Sequence, residues 1–367
     1  MRVVMVSKAC VVGQYQTKLE QLAQLPNLKL TVIVPPFWRD ERGIVPLERA
    51  HTRGYALVVA PIRFNGQFHL HFYPTLPQIL KSLRPDIVHI DEEPYNLATY
   101  LALRAARKVN AKTIFFTWQN ILRRYPPPFG WMESRVLKET NYAIAGNAEA
   151  VDVLRTKGYT GNASIIPQFG VDADYFTPAP PTDRKLFRIG YAGRLVEEKG
   201  IQVLLRAVAK LDGDWEVRLQ GSGGPYKATL QQLARELGIA PRVFFDSPIP
   251  SVGMPGYYHR LDALVLPSLT RRNWKEQFGR ALIEAMACEI PVIGSDCGEI
   301  PNVVGNAGLV FPEGDAEALR AHLASLRDHP LLRMNLGQRG RERVLANYTQ
   351  TRIAAETWDV YRNLIAN

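Results

Sequence analysis

No apolar run in this chain approaches the ~20 residues that cross a bilayer as a helix. The opening stretch "MRVVMVSKAC" holds an apolar run too short for a secretory signal core and reads as a first strand. Cysteine is scarce and odd in number: Cys10, Cys288 and Cys297 form neither a disulfide framework nor a metal-ligand spacing, which fits a reducing cytosol. His69 and His71 in "FHLHFY" alternate as on a strand face, but without Cys or further close ligands they make no metal site. Acids are in deficit, 35 against 45 Lys and Arg, for a net charge of +10. That surplus suits nucleic acid, an anionic membrane surface or phosphorylated substrates. With no long Lys/Arg block and no RNA-binding or helix-turn-helix signature, nucleic acid is set aside. A strand-linked G-x-G-x-x-G is missing too. The nearest candidate, "GSGG" at 221–224, follows a strand with the wrong spacing, so a nicotinamide reading lacks its main support.

What is present is a rhythm. The 367 residues, 46% hydrophobic, suggest two domains. Short Val/Ile-rich runs ("RVVMVS", "KLTVIVP", "ALVVAPI", "DIVHI", "KTIFFT") alternate with helical patterns such as "YQTKLEQLAQL" and "LATYLALRAARKV". The second half repeats this with "FRIGYAG", "WEVRLQG", "LDALVLP" and "PVIGSD". Buried strands followed by amphipathic helices mean βα units and a parallel sheet. The rhythm pauses at "FGVDADYFTPAPPTDRK", a proline-rich linker. The expectation is α/β: two Rossmann-like, doubly wound domains facing across a cleft. Residues 1–170 form the first domain, 171–185 the hinge linker, 186–348 the second domain, and 349–367 a last helix with Thr349 at its N-cap. Ligands of such sheets bind beyond the carboxyl ends of strands, so chemistry-bearing residues should follow strands.

Two stretches do. In "GYAGRLVEEKG", Arg194 and Lys199 flank a strand-to-helix turn. Cations beside a helix N-terminus suit a diphosphate, although Glu197 and Glu198 would equally make this a solvated loop. In "EQFGRALIEA", Glu276 lies just ahead of a helix beginning near Phe278–Gly279, and Glu284 lies about two turns on. Carboxylates accept paired hydroxyl hydrogen bonds, and the free backbone N–H groups between them suit phosphates. The alternative is an ordinary amphipathic helix with solvated acids.

Taken together, "GYAGRLVEEKGIQVLLRA", "VLPSLTRRNWKEQFGRALIEAMACEIPVIGSDCG" and "NAGLVFPEGD" resemble the retaining GT-B glycosyltransferases of family 4, over most of residues 186–316. "IIPQFGVDADYFTP" is similar to that family's hinge. The resemblance implies a nucleotide diphosphate-sugar donor, UDP or GDP, with Arg194 and Lys199 on the diphosphate. It places Glu276 on the transferred sugar, Glu284 on the ribose, and the backbone of Gln277, Phe278 and Gly279 against sugar and phosphates. Ile249 would lie against the base. It also implies that the last helix crosses back to the first domain, and that catalysis needs no metal and no cofactor.

The first domain departs from the pattern. Where many members carry a Gly-Gly pair, this chain has Gly13 followed by Gln14; Gly13 is kept in the donor-binding set. Where many carry a His, "FFTWQNILRRYPPPFG" offers Trp118, Gln119 and Asn120. Gln119 enters the catalytic set with Glu276, Arg194 and Lys199, able to hydrogen-bond but not to act as acid or base. In "HIDEEPYN", Glu92 and Glu93 could bind acceptor hydroxyls or complement the dipole of a helix over 94–108. Arg123, Arg124, Tyr125, Phe129 and Trp131 make a basic, aromatic loop compatible with a lipid-phosphate acceptor at a membrane. The expectation is a cytoplasmic, retaining hexosyltransferase acting on a glycan or lipid-linked acceptor, with peripheral contact at the inner membrane face. Its rivals are an epimerase or hydrolase of the same fold and a non-catalytic nucleotide-sugar-binding protein.

Overall fold

In the computed structural model, residues 1–40, 43–180 and 186–366 are described; the linker residues 181–185 lie outside them. The chain divides into two compact units, residues 1–170 with 350–367, and residues 171–349.

The first unit runs β1 (Arg2–Val6), α1 (Thr17–Ala23), β2 (Lys29–Val34), β3 (Phe37–Asp40), β4 (Gly43–Pro46), β5 (Ala56–Val59), α2 (Leu76–Leu83) and β6 (Ile87–Ile90). It continues α3 (Leu97–Lys108), β7 (Lys112–Thr117), α4 (Phe129–Glu139), β8 (Tyr142–Ala145), α5 (Ala148–Thr156) and β9 (Asn162–Ile165). Seven strands pair in the order β5-β2-β1-β6-β7-β8-β9, all parallel. Central strands such as β1 and β6 are buried on both faces, which is why they read as continuous Val/Ile runs rather than alternating ones.

The second unit runs β10 (Phe187–Ala192), α6 (Ile201–Val208), β11 (Trp215–Gln220), α7 (Pro225–Glu236), β12 (Val243–Asp246), α8 (Met254–Tyr258) and β13 (Ala263–Leu266). Then follow α9 (Arg280–Ala287), β14 (Val292–Ser295), α10 (Ile300–Val304), β15 (Leu309–Phe311), α11 (Ala316–Asp328) and α12 (Pro330–Asn347). Its parallel sheet has the order β12-β11-β10-β13-β14-β15. The final helix, α13 (Gln350–Ala366), belongs to the first unit. There Ile353, Val360, Tyr361 and Leu364 join Leu19, Leu22, Val3 and Met5 in one core on one side of the sheet. The other side is filled by Leu80, Leu103, Val136 and Leu154 from α2–α5.

Four local expectations change. The linker is shorter than read: Val171 and Phe176 are buried in the second unit, where Arg341 donates to the carbonyl of Phe176 at 3.0 Å. His69 lies in a turn and His71 in irregular chain just before the bridge residue Phe72, neither of them on a strand. His71 is drawn inward by Trp38, whose ring meets it edge-on at 5.0 Å. The first helix begins at Thr17, after two short 3-10 turns at Ala9–Val11 and Gly13–Gln16. The hairpin β3–β4 is antiparallel and was not anticipated, its residues being only half-buried and weakly patterned.

Candidate functional site

In the second unit, the ends of β10 and β13 bring distant residues together. Beyond Ala192 the chain turns through a short 3-10 segment, Glu197–Lys199, that ends on Gly200. Gly200 has φ +69°, and a Cβ there would lie 1.8 Å from the carbonyl oxygen of Pro267. The segment can therefore sit directly on the chain leaving β13. That contact delivers Lys199 Nζ to Glu276 Oε2 at 2.6 Å, 77 positions away in sequence. Ser268 Oγ donates to the same oxygen at 2.9 Å, and the Lys199 ammonium lies 4.8 Å from the Trp274 ring centre. Arg194 is more exposed and faces Glu198 at 3.7 Å.

Glu276 is on a loop and Glu284 is inside α9, so the eight-residue spacing is only partly helical. Both acids are buried. Glu276 is held from behind by Gly298, whose φ is +56° and whose Cβ, if present, would lie 2.1 Å from the Glu276 carbonyl oxygen. Glu299 N donates to that same carbonyl at 3.1 Å. Glu284 accepts from Tyr258 OH at 2.8 Å and meets Arg280 Nε at 2.7 Å. Between the two acids, Gln277 and Phe278 lead into Gly279, the left-handed residue that opens α9, and Phe278 packs edge-on against Tyr348. Ile249 lies half-buried on the loop after β12, beside Gly253.

Gly13 and Gln119 belong to the first unit. Gly13 N donates to Glu48 Oε2 at 2.5 Å, and a Cβ on Gly13 would lie 2.7 Å from that oxygen. The Gln119 amide is engaged at both ends: Lys157 Nζ donates to its oxygen at 2.9 Å, and its nitrogen donates to Tyr125 OH at 3.3 Å. Nearby, at the ends of β1, β6 and β7, sits a buried polar cluster. Glu92 pairs with Lys8 and lies 3.6 Å from His71 Nε2. Glu93 accepts from Thr117 Oγ1 at 2.6 Å and Trp118 N at 2.8 Å. Neither acid lies in the first turn of α3, which begins at Leu97 and not at 94, but Glu92 also meets its N-cap, the Asn96 side-chain nitrogen donating to Glu92 Oε2 at 3.4 Å. Among the described residues, no group of three or more His, Cys, Asp and Glu is placed to hold a metal ion.

Two family profiles divide this chain between them. "Glycosyltransferase Family 4" matches residues 19–175 and "Glycosyl transferases group 1" matches residues 176–343. The chain belongs to the GT-B glycosyltransferases of family 4. Curated relatives of this chain include a GDP-mannose-dependent alpha-(1-6)-phosphatidylinositol monomannoside mannosyltransferase of Mycolicibacterium smegmatis, 32% identical over 49% of this chain and 51% of that one. Another is the MMP alpha-(1->4)-mannosyltransferase of Mycolicibacterium hassiacum, 30% identical over 68% of this chain and 60% of that one. The matches thus span between half and three-fifths of those relatives. Among solved structures, a sucrose-phosphate synthase from Thermosynechococcus elongatus superposes with a TM-score of 0.76 at 20% identity, covering 100% of this chain and 99% of that one. Anabaena HepE, solved with UDP and glucose, gives 0.73 at 16% identity over 99% and 100%. At such identities the likeness is one of fold.

The sequence reading missed Ser268, Trp274, Tyr258 and Arg280 around the two acids, and Lys8 and His71 around Glu92. Ser268 and Lys8 carried a usable signal, since each follows the end of a parallel strand by two residues.

Proposed function

We propose that this glycosyltransferase moves a hexose-type sugar, with retention of configuration and without a metal ion, from a UDP- or GDP-sugar to a glycan or lipid-linked acceptor. The observation that supports this best is the cluster of Lys199, Glu276 and Ser268 at the start of the chain leading into α9, with Glu284 and Arg280 further along. Such an element offers acids for hydroxyls at its two ends and a cation with backbone N–H groups for phosphates between them. In this reading Lys199 is held by Glu276 until a diphosphate arrives, then bridges the carboxylate and the phosphate. Arg194 adds a second charge at the same turn. Acceptor hydroxyl attack from the face the diphosphate leaves, with a donor phosphate oxygen taking the proton, needs no protein base. The residues then serve to position both substrates and to stabilise the leaving charge. Names of relatives support a sugar nucleotide: one is GDP-mannose-dependent, and HepE was solved with UDP.

Titration calorimetry with UDP and GDP tests the donor assignment. Arg194→Ala and Lys199→Ala should each weaken nucleotide binding by ~1.5–3 kcal/mol, the range for a hydrogen bond to a charged group. Unchanged affinity in both variants would falsify the assignment. NMR of the product anomer, run with a chelator present, tests retention and metal independence. An inverted linkage or a chelator-dead enzyme rejects them.

A further inference from the structure

The first unit carries a surface that sugar transfer alone does not call for. From Arg49 to Pro85 and again from Pro94 to Met132 the sequence contains no Asp or Glu, while these stretches hold five and six Lys or Arg respectively. In a chain with 35 acids, two such runs bring no acid of their own; β3, bonded to the first through Arg39 N and Asn65 Oδ1 at 2.9 Å, adds both Arg39 and Asp40. The fold joins the two runs: His69 packs against Tyr125 at 5.7 Å and Phe129 at 5.4 Å, and Phe68 and Tyr125 both flank Tyr95. On the surface so formed, Phe64, Phe68, Leu122 and Trp131 are all exposed, Leu122 and Trp131 by 52%. Arg63, Arg123 and Arg124 lie exposed among them. Trp131 stands edge-on to Tyr100, which Arg104 covers at 5.8 Å. Large apolar side chains exposed together mark an interaction site, and aromatic rings interleaved with arginines fit the interface of an anionic leaflet.

We propose that the face formed by residues 61–72 and 121–131 docks on an anionic phospholipid bilayer. The same face leads to the polar cluster. The exposed Phe68 ring lies 4.6 Å from the ammonium of Lys8, which pairs with Glu92. A lipid-linked acceptor can keep its chains in the bilayer while its head group reaches Lys8 and Glu92. The acceptor part of this inference rests on the proposed transfer reaction; the docking does not.

Vesicle flotation with the full chain tests it, using phosphatidylcholine alone and phosphatidylcholine mixed with phosphatidylglycerol. The protein should float with the mixed vesicles only. The double variant R63E/R124E should lower that partitioning at least about tenfold, because each basic residue near an anionic surface favours binding. The triple variant Phe64→Ser, Leu122→Ser, Trp131→Ser should lower it too, through lost apolar insertion. Unaltered melting and unaltered UDP or GDP affinity in these variants would show that folding and the donor site are intact, so loss of docking stays separate from failure of the donor assignment. Equal partitioning to both vesicle types overturns the proposal. So does a serine variant that floats like the parent while R63E/R124E loses vesicles and a single-stranded oligonucleotide alike, which makes the face a general polyanion site.

Discussion

Glu92 and Glu93 are neighbours in sequence and in burial, yet their carboxyls titrate in opposite directions. Burial raises both, but at Glu92 the charges of Lys8 and His71 overcome it and hold the group at about 2. At Glu93 burial outweighs the hydrogen bonds from Thr117 and Trp118 and lifts the group to about 7. His89, donating to or accepting from Tyr361 OH at 2.7 Å, is lowered by burial to about 4 despite Asp91. Glu93, raised from 4.5, gives stability that is full below pH 4.5 and lost as pH rises through 7. His89, lowered from 6.5, gives stability that is full above pH 6.5 and lost as pH falls through 4. Over the shared window the two slopes oppose each other. Glu93→Gln should therefore uncover the histidine, and the first unit should lose about 3 kcal/mol as pH drops from 6.5 to 4. Urea denaturation across that window reads it directly; an unaltered slope in the variant would show that these two groups do not govern it. The acids of the second unit divide differently. Glu284→Gln should weaken free nucleotide binding, whereas Glu276→Gln should mainly lower turnover and loosen sugar discrimination. Equal loss of nucleotide affinity in both, by calorimetry, would mean the donor does not lie along α9 from end to end.

At the scale of elements, the loop that carries Glu276 depends on one glycine. Gly298 combines a left-handed backbone with an approach to Glu276 that leaves no room for a methyl group. Gly298→Ala should cost at least ~1–2 kcal/mol from the backbone alone, and should weaken nucleotide binding by shifting the loop. A melt and a titration equal to the parent's would place the control elsewhere. This dependence was not legible in "SDCGEI", because nothing local says that the glycine meets a residue 22 positions earlier. The βα alternation was legible, since strands such as β1, β6 and β13 are buried on both sides and so are written as unbroken apolar runs. The start of α9 was legible to within a residue or two from the Phe-Gly step. The Lys199–Glu276 contact was not, as it joins two separate βα units through the close packing of Gly200 on Pro267. "FHLHFY" misled for a related reason: its alternation comes from His71 turning inward to Trp38 and Glu92, a tertiary demand that mimics a strand's period of two. The hairpin β3–β4 gave too little burial to leave a pattern at all.

For the whole molecule, the last helix decides which parts of the chain can fold alone. α13 follows the second unit in sequence but is built into the first, where Ile353, Val360, Tyr361 and Leu364 are buried in the core shared with α1 and the sheet. Each large apolar side chain so buried contributes ~1.5–3 kcal/mol. Together the four amount to roughly 6–12 kcal/mol, on the scale of an entire domain's ~5–15 kcal/mol. A chain ending at Thr349 should therefore lose the native first unit and, with it, transfer to any acceptor. The second unit should survive, because its sheet, Lys199, Glu276 and Glu284 all lie within residues 171–349. Thermal melts of the full chain should show that UDP or GDP raises the stability of the second unit by mass action, and the truncated chain should keep that nucleotide-dependent shift. Limited proteolysis should cut the truncated chain within residues 1–170 while leaving a nucleotide-binding fragment. A truncated chain that resists proteolysis there and transfers sugar would show that α13 merely covers a core already stable without it. Loss of nucleotide binding together with the first unit would show instead that the two units fold as one.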